Sequence, residues 1–135
     1  MSYILVSDAA LNDSSKDTVV PSGSIYKLLY GHIKLATSGD AGNRRILIEI
    51  FDSTDTLRTS IDAGLVQAAS TTYHYNLMPG VAREGTIVAT SLLIPIPMDL
   101  ILLPGWYIRV RDSAAIAAAA DDMTVSLMFA VAPMN

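Results

Sequence analysis

From Ser24 to the end of the chain, apolar and polar residues alternate with a period of two in most segments. That spacing predicts strands, whose successive side chains point to opposite faces. Ser24–Leu35 reads as one long strand, with Ile25, Leu29, Ile33 and Leu35 on one face and Tyr26, Leu28, Tyr30 and His32 on the other. Gly31 inside it marks a bulge or the close approach of another strand. Thr37–Asn43 is dense in turn formers and is a loop. Arg44–Asp52 follows as a strand, with Ile46, Ile48 and Ile50 opposite Leu47, Glu49 and Phe51. Asp52–Asp55 turns the chain into a partner strand, Thr56–Ile61, because Asp and Ser side chains bond the backbone two residues on. Ala63–Ala69 is weakly patterned, a loop or a helical turn.

Thr71–Met78 alternates again, with Tyr73, Tyr75 and Leu77 against His74, Asn76 and Met78, and Pro79-Gly80 closes it. Thr86–Pro97 holds one or two extended segments. Pro95 and Pro97 each remove a ladder donor, which predicts an edge strand or a strand end. Trp106–Asp112 and Met123–Ala132 are the last strands, the latter with Val125, Leu127, Phe129 and Val131 in one row and Thr124, Ser126, Met128 and Ala130 in the other. Between them, Ala117–Ala120 favours a short helical turn. Residues 1–20 supply a strand at Tyr3–Val6 and an extended arm, and residues 21–135 one sandwich domain. About eight strands with turn chemistry between them predict an all-β antiparallel sandwich or barrel.

Composition sharpens this. Of 135 residues, 51% are hydrophobic and only 16% charged, below the ~25% of an average domain. So few charges leave apolar surface exposed, and such surface marks interfaces. Self-association is the expectation, through the Tyr73/Tyr75 strand, the segment containing Leu92, Ile94 and Ile96, and Met128 on the last strand. A membrane span is excluded because Leu92–Leu103 is short and broken by Pro95, Pro97 and Asp99. The net charge of −4 and scattered basic residues argue against nucleic acid as the main partner.

Candidate chemistry is sparse. With no cysteine there is no disulfide, thiolate metal site or Cys nucleophile. His32 and His74 stand in mid-strand with no carboxylate cluster beside them, so a metal site is a weak reading. Asp121-Asp122 with Asp112, and Asp52 with Asp55, are cation ligands by type, but their spacing matches no EF-hand and suits turns and caps. No serine sits in a Gly-x-Ser-x-Gly elbow, and Gly80–Gly85 lacks the Lys-Ser/Thr of a phosphate loop. Asn12–Ser14 matches a glycosylation sequon, by chance in a chain read as lacking a secretory signal. Trp106, Tyr107, Tyr73 and Tyr75 are candidates for a sugar-stacking platform as well as for core. The sequence therefore predicts a non-enzymatic protein with no cofactor and no catalytic or metal residues.

Three phrases carry a family resemblance: Pro21–Tyr26 (PSGSIY), Ala36–Asp52 (ATSGDAGNRRILIEIFD) and Pro104–Val125 (PGWYIRVRDSAAIAAAADDMTV). They resemble stretches of small structural proteins of tailed bacteriophages, and the likeness runs over roughly Pro21–Val131. The resemblance implies a jelly-roll sandwich, a location on the virion, and a capsid decoration (cement) protein that binds the major capsid protein, commonly as a homotrimer. A tail or fibre module that recognises host carbohydrate is the alternative.

Overall fold

Ten strands form in chain order: β1 (Ser2–Asp8), β2 (Ser15–Val19), β3 (Ser24–Ala36), β4 (Ile46–Phe51), β5 (Leu57–Asp62), β6 (Thr72–Pro79), β7 (Ser91–Ile96), β8 (Leu100–Leu102), β9 (Tyr107–Asp112) and β10 (Asp122–Pro133). The structure, a computed structural model, describes residues 2–11, 15–82, 90–114, 116 and 120–134. Among the described residues there is no helix. Part of the Ala117–Ala120 run, Asn12–Ser14 and the start of the Thr86–Pro97 segment lie outside them.

The larger sheet has the order β1-β10-β3-β6-β7, with β8 also paired to β3, and the smaller the order β2-β9-β4-β5. Omitting β7 and β8, the chain winds through the two sheets as β1-β10-β3-β6 and β2-β9-β4-β5. This is the eight-stranded double Greek key of a jelly roll. The fold is thus the all-β jelly-roll sandwich expected from the sequence. Two strands are added to it, and one pair, β6–β7, runs parallel. β7 is an edge strand, as Pro95 requires, since an edge can lack a ladder donor on its open side. Within the first twenty residues, Ser2–Asp8 pairs with β10 and Ser15–Val19 with β9, so these two stretches supply one edge strand to each sheet.

β3 and β10 are the long central strands of the larger sheet, and their pairing explains where the alternation slips. Met128 is opposite Tyr30 but Phe129 is opposite Leu28, which leaves Leu29 unpaired as a bulge. One extra residue reverses the faces on either side of it. Tyr26 and Leu28 therefore point into the core together with Ile33 and Leu35, and Leu29, expected beside the last two, does not. Gly31 sits just past the bulge, turned inward. A Cβ there would stand 2.7 Å from Leu127 Cδ2 and 3.2 Å from the Ser126 carbonyl oxygen. It marks both a bulge and a close approach.

The core lies between the sheets. Leu28, Ile33, Leu35, Tyr75, Leu77, Leu92, Ile94, Leu127 and Phe129 meet Ile46, Ile48, Ile50, Ile108 and Val110 from the smaller sheet. The Tyr26 and Phe129 rings are 5.0 Å apart. One end of the sandwich is closed by polar groups rather than apolar ones. Arg44 and Asp121 are both fully buried and form a two-pronged ion pair at 2.9 and 3.0 Å. The guanidinium also donates to the carbonyls of Asp40 and Gly42, and Asp121 accepts from the Ser38 amide. Beside it, Gln67 exchanges two backbone bonds with Arg44, donates to the Leu35 carbonyl and accepts from the Tyr75 hydroxyl. Asp121 is thus a partner of Arg44. At the β1–β2 side of the sandwich, Lys16 points inward from β2 and reaches Asp8 at the end of β1, 2.9 Å away.

Candidate functional site

Surface chemistry differs between the outer faces of the two sheets. On the smaller sheet the arginines are paired: Arg109 with Asp17, Arg111 with Glu49, Arg45 with Asp62 and Arg58 with Asp52. Such a face presents little unneutralised positive charge to a polyanion. At its end Phe51 and Tyr107 stack with centroids 4.9 Å apart, and the Arg109 guanidinium lies 5.2 and 5.5 Å from the two rings. Ring faces engaged by each other and by a cation leave little platform for a sugar.

The larger sheet presents an apolar half. Its register sets Leu5 beside Met128 and Met128 beside Tyr30, in one row across β1, β10 and β3. Met78 lies next along β6, one position beyond the Gly31–Leu77 pair, and faces Pro95 of β7. The neighbouring row is Tyr3, Ala130, Lys27 and Ile101. Tyr3 is 68% exposed, Leu5 55% and Tyr30 50%, although all three are large and apolar in body. Lys27 is held by Asp99 at 2.8 Å.

The other half of this face is polar, with Ser7, Ser126, His32 and Asn76 in one row and Thr124, Lys34, His74 and Ser91 in the next. His32 and His74, 42 residues apart in sequence, come together as diagonal neighbours, with Nε2 of the first 2.9 Å from Nδ1 of the second. One ring donates its N–H to the lone pair of the other, so the bond requires at least one neutral imidazole. Desolvation, then the charges of His74 and Lys34, push the His32 pKa below its ordinary value of 6.5. A depressed histidine pKa adds stability above the unfolded-state pKa and loses it as pH falls. Unfolding free energy is therefore expected to drop as pH is lowered from about 7 toward the depressed value. Denaturant titrations of His32→Asn should show a flatter profile over that window. An equal slope in both proteins would contradict the assignment.

The residues expected at an interface divide. Tyr75, Leu92, Ile94 and Ile96 point between the sheets and are 0–4% exposed, so they present no side chain to a partner. That expectation is corrected for these four: core rows and interface rows alternate identically along a strand, and only sheet pairing tells them apart. Tyr73 is half-buried and packs against the core. Met128 lies on the outer face, in the apolar row. Tyr3, Leu5 and Tyr30, which complete that surface, were not among the expected contacts. For Tyr3 and Leu5 the signal is the apolar Tyr3–Val6 run in a segment otherwise read as an arm; Tyr30 stands in the apolar row of the long Ser24–Leu35 strand.

Of the remaining candidates, Trp106 packs against the core. Asp112 caps its turn by accepting from the amides of Arg45, Ala114 and Ile116. Asp52 accepts from Thr54, Thr56 and Arg58, as a turn residue should. Those bonds, the Thr54 hydroxyl first, hold its carboxyl well below the usual range. Among the described residues, no group of three or more His, Asp or Glu side chains stands close enough to hold a metal ion. No described helix is long and apolar enough to cross a membrane.

No protein-family model and no curated protein matches the chain. Among solved structures, it is similar to a chain in a structure of infectious bursal disease virus, Gx strain, at 9% identity and a TM-score of 0.38. The match covers 95% of this chain and 33% of that one, so the chain spans about a third of the length of the structure it matches. A likeness at this level carries no functional inference.

Proposed function

We propose that this chain is a non-enzymatic structural protein of a bacteriophage virion, a decoration protein that binds the assembled head and stabilises it. The observation that carries the reading is the exposed apolar half of the larger sheet, centred on Leu5, Met128 and Tyr30. A jelly roll whose buried polar groups serve its own closure, and whose charged face is internally paired, has this surface left for partners. The tailed-phage resemblance of Pro21–Val131 supplies the particle. Copies of the chain associate with one another, as the low charge content suggests, and with the major capsid protein. A protein that binds only the assembled shell stabilises it by mass action, in proportion to the logarithm of its free concentration over Kd.

The test mixes the purified chain with heads that lack it. Saturable co-sedimentation with intact heads, a higher head disruption temperature, and no binding to unassembled capsid subunits are expected. Absence of binding to heads, or equal binding to free subunits, would overturn the reading.

A further inference from the structure

A sandwich of two open sheets ends in edge strands, each a row of unpaired backbone N–H and C=O groups that invites another strand. β8, off the main path beside β3, is only three residues long, and three of the four terminal strands are blunted here. β2 turns the charged Lys16 inward from its edge. β5 is bulged: Ile50 and Phe51 pair with Thr59 and Leu57, leaving Arg58 out of the ladder. β7 carries Pro95. Each is a recognised device against edge-to-edge pairing.

β1 has none of them. Its seven residues, Ser2-Tyr-Ile-Leu-Val-Ser-Asp8, contain no Lys, Arg, Pro or Gly, and it pairs with β10 in unbroken register. Among the described residues its second side pairs with nothing. Both of its faces are also open. Tyr3 and Leu5 stand out on the outer face, and Ile4, on the inner side, is still 41% exposed.

We propose that this edge joins two copies of the chain: β1 pairs antiparallel with β1 of a second copy, about a two-fold axis through Leu5. The sequence of the strand fits itself. Paired residues must point to the same face, so the axis has to pass through a residue and not between two. Only an axis at Leu5 pairs every residue of the strand. It sets Leu5 against Leu5, Ile4 against Val6, Tyr3 against Ser7 and Ser2 against Asp8, with no like charges opposed. The exposed Ile4 is then covered by Val6 of the other copy, and the reverse. The apolar row becomes continuous across the axis, running Tyr30, Met128, Leu5 and then the same three in reverse order. A two-fold contact of this kind uses one self-complementary patch twice, which a single chain can supply. The inference goes beyond the decoration reading and stands without it.

The experiment measures the mass of the isolated full chain by sedimentation over a concentration series, beside Leu5→Lys and Leu5→Cys. Leu5 is exposed, so neither change enters the core. Leu5→Lys places two ammonium groups opposite each other at the axis and is expected to weaken the association roughly tenfold or more. Where the wild type is fully associated, its mass should be twice that of the Lys variant. The chain has no cysteine, so Leu5→Cys should cross-link to itself with a short bis-maleimide, while Leu57→Cys on β5 should not. Equal masses for wild type and Leu5→Lys, or cross-linking of Leu57→Cys as efficient as that of Leu5→Cys, would overturn the proposal. If Leu5→Lys does not fold, the two cysteine variants decide alone.

Discussion

Asp121→Ala is expected to lower the unfolding free energy by about 3–5 kcal/mol, the cost of stranding one member of a buried ion pair. Asp121 and Arg44 are both 0% exposed, and the guanidinium satisfies five contacts: two carboxylate oxygens, two backbone carbonyls and, more distantly, the Ser38 hydroxyl. Without Asp121 the guanidinium keeps its charge but loses its counterion, and the Ser38 amide loses its acceptor. Water cannot easily repair this, because the side chains close the end of the sandwich. Arg44→Met with Asp121→Leu should be less damaging than Asp121→Ala alone, since no charge remains buried, although the carbonyls of Asp40 and Gly42 lose their donor. Acid should act in the same direction. Burial alone would raise the Asp121 pKa, but the bonds from Arg44 and Ser38 outweigh it and hold the carboxyl below its ordinary value. A depressed carboxylate pKa contributes stability that is present above about pH 4 and lost as pH falls through the folded value. Denaturant unfolding at neutral pH checks the central number; a loss below about 1 kcal/mol would contradict the role given to the pair.

Gly31→Ala is expected to cost roughly 1–3 kcal/mol, the usual range for overfilling a packed core. The added methyl meets Leu127 Cδ2 at 2.7 Å, and the Ser126 carbonyl oxygen behind it at 3.2 Å. Leu127 is 1% exposed and belongs to the packed core, so moving it disturbs its neighbours. The two sites should therefore couple. Leu127→Val removes the clashing carbon, so Gly31→Ala should cost measurably less in that background than in the wild type. Additive losses in the four-protein cycle would show that the backbone, not Leu127, sets the strain.

Much of the fold was legible because alternation is a local property. β4, the β4–β5 hairpin, β6 and β10 follow directly from residues such as Ile46, Ile48 and Ile50 opposite Leu47, Glu49 and Phe51. What was not legible depends on contacts distant in sequence. The bulge at Leu29 exists only in the register between β3 and β10, so strict alternation misplaced Tyr26 and Leu28 relative to Ile33. The parallel course of β7 beside β6 leaves no mark in Ser91–Ile96 itself. Arg44 and Asp121 each look like solvated charges until the fold buries them together across 77 residues. The proposed interface was half legible for the same reason. An apolar row on a strand has the same pattern whether it faces the second sheet or solvent, so Tyr75, Leu92, Ile94 and Ile96 were indistinguishable from Met128.

The claim that the exposed apolar face of this jelly roll serves attachment to an assembled phage head is tested most directly by cryo-electron microscopy of the intact particle. The account predicts density for this chain on the outside of the head, over junctions between capsid subunits, with the Leu5–Met128–Tyr30 face covered by a neighbour. Density for the chain only at the tail, or on the head with that face turned to solvent, would contradict it.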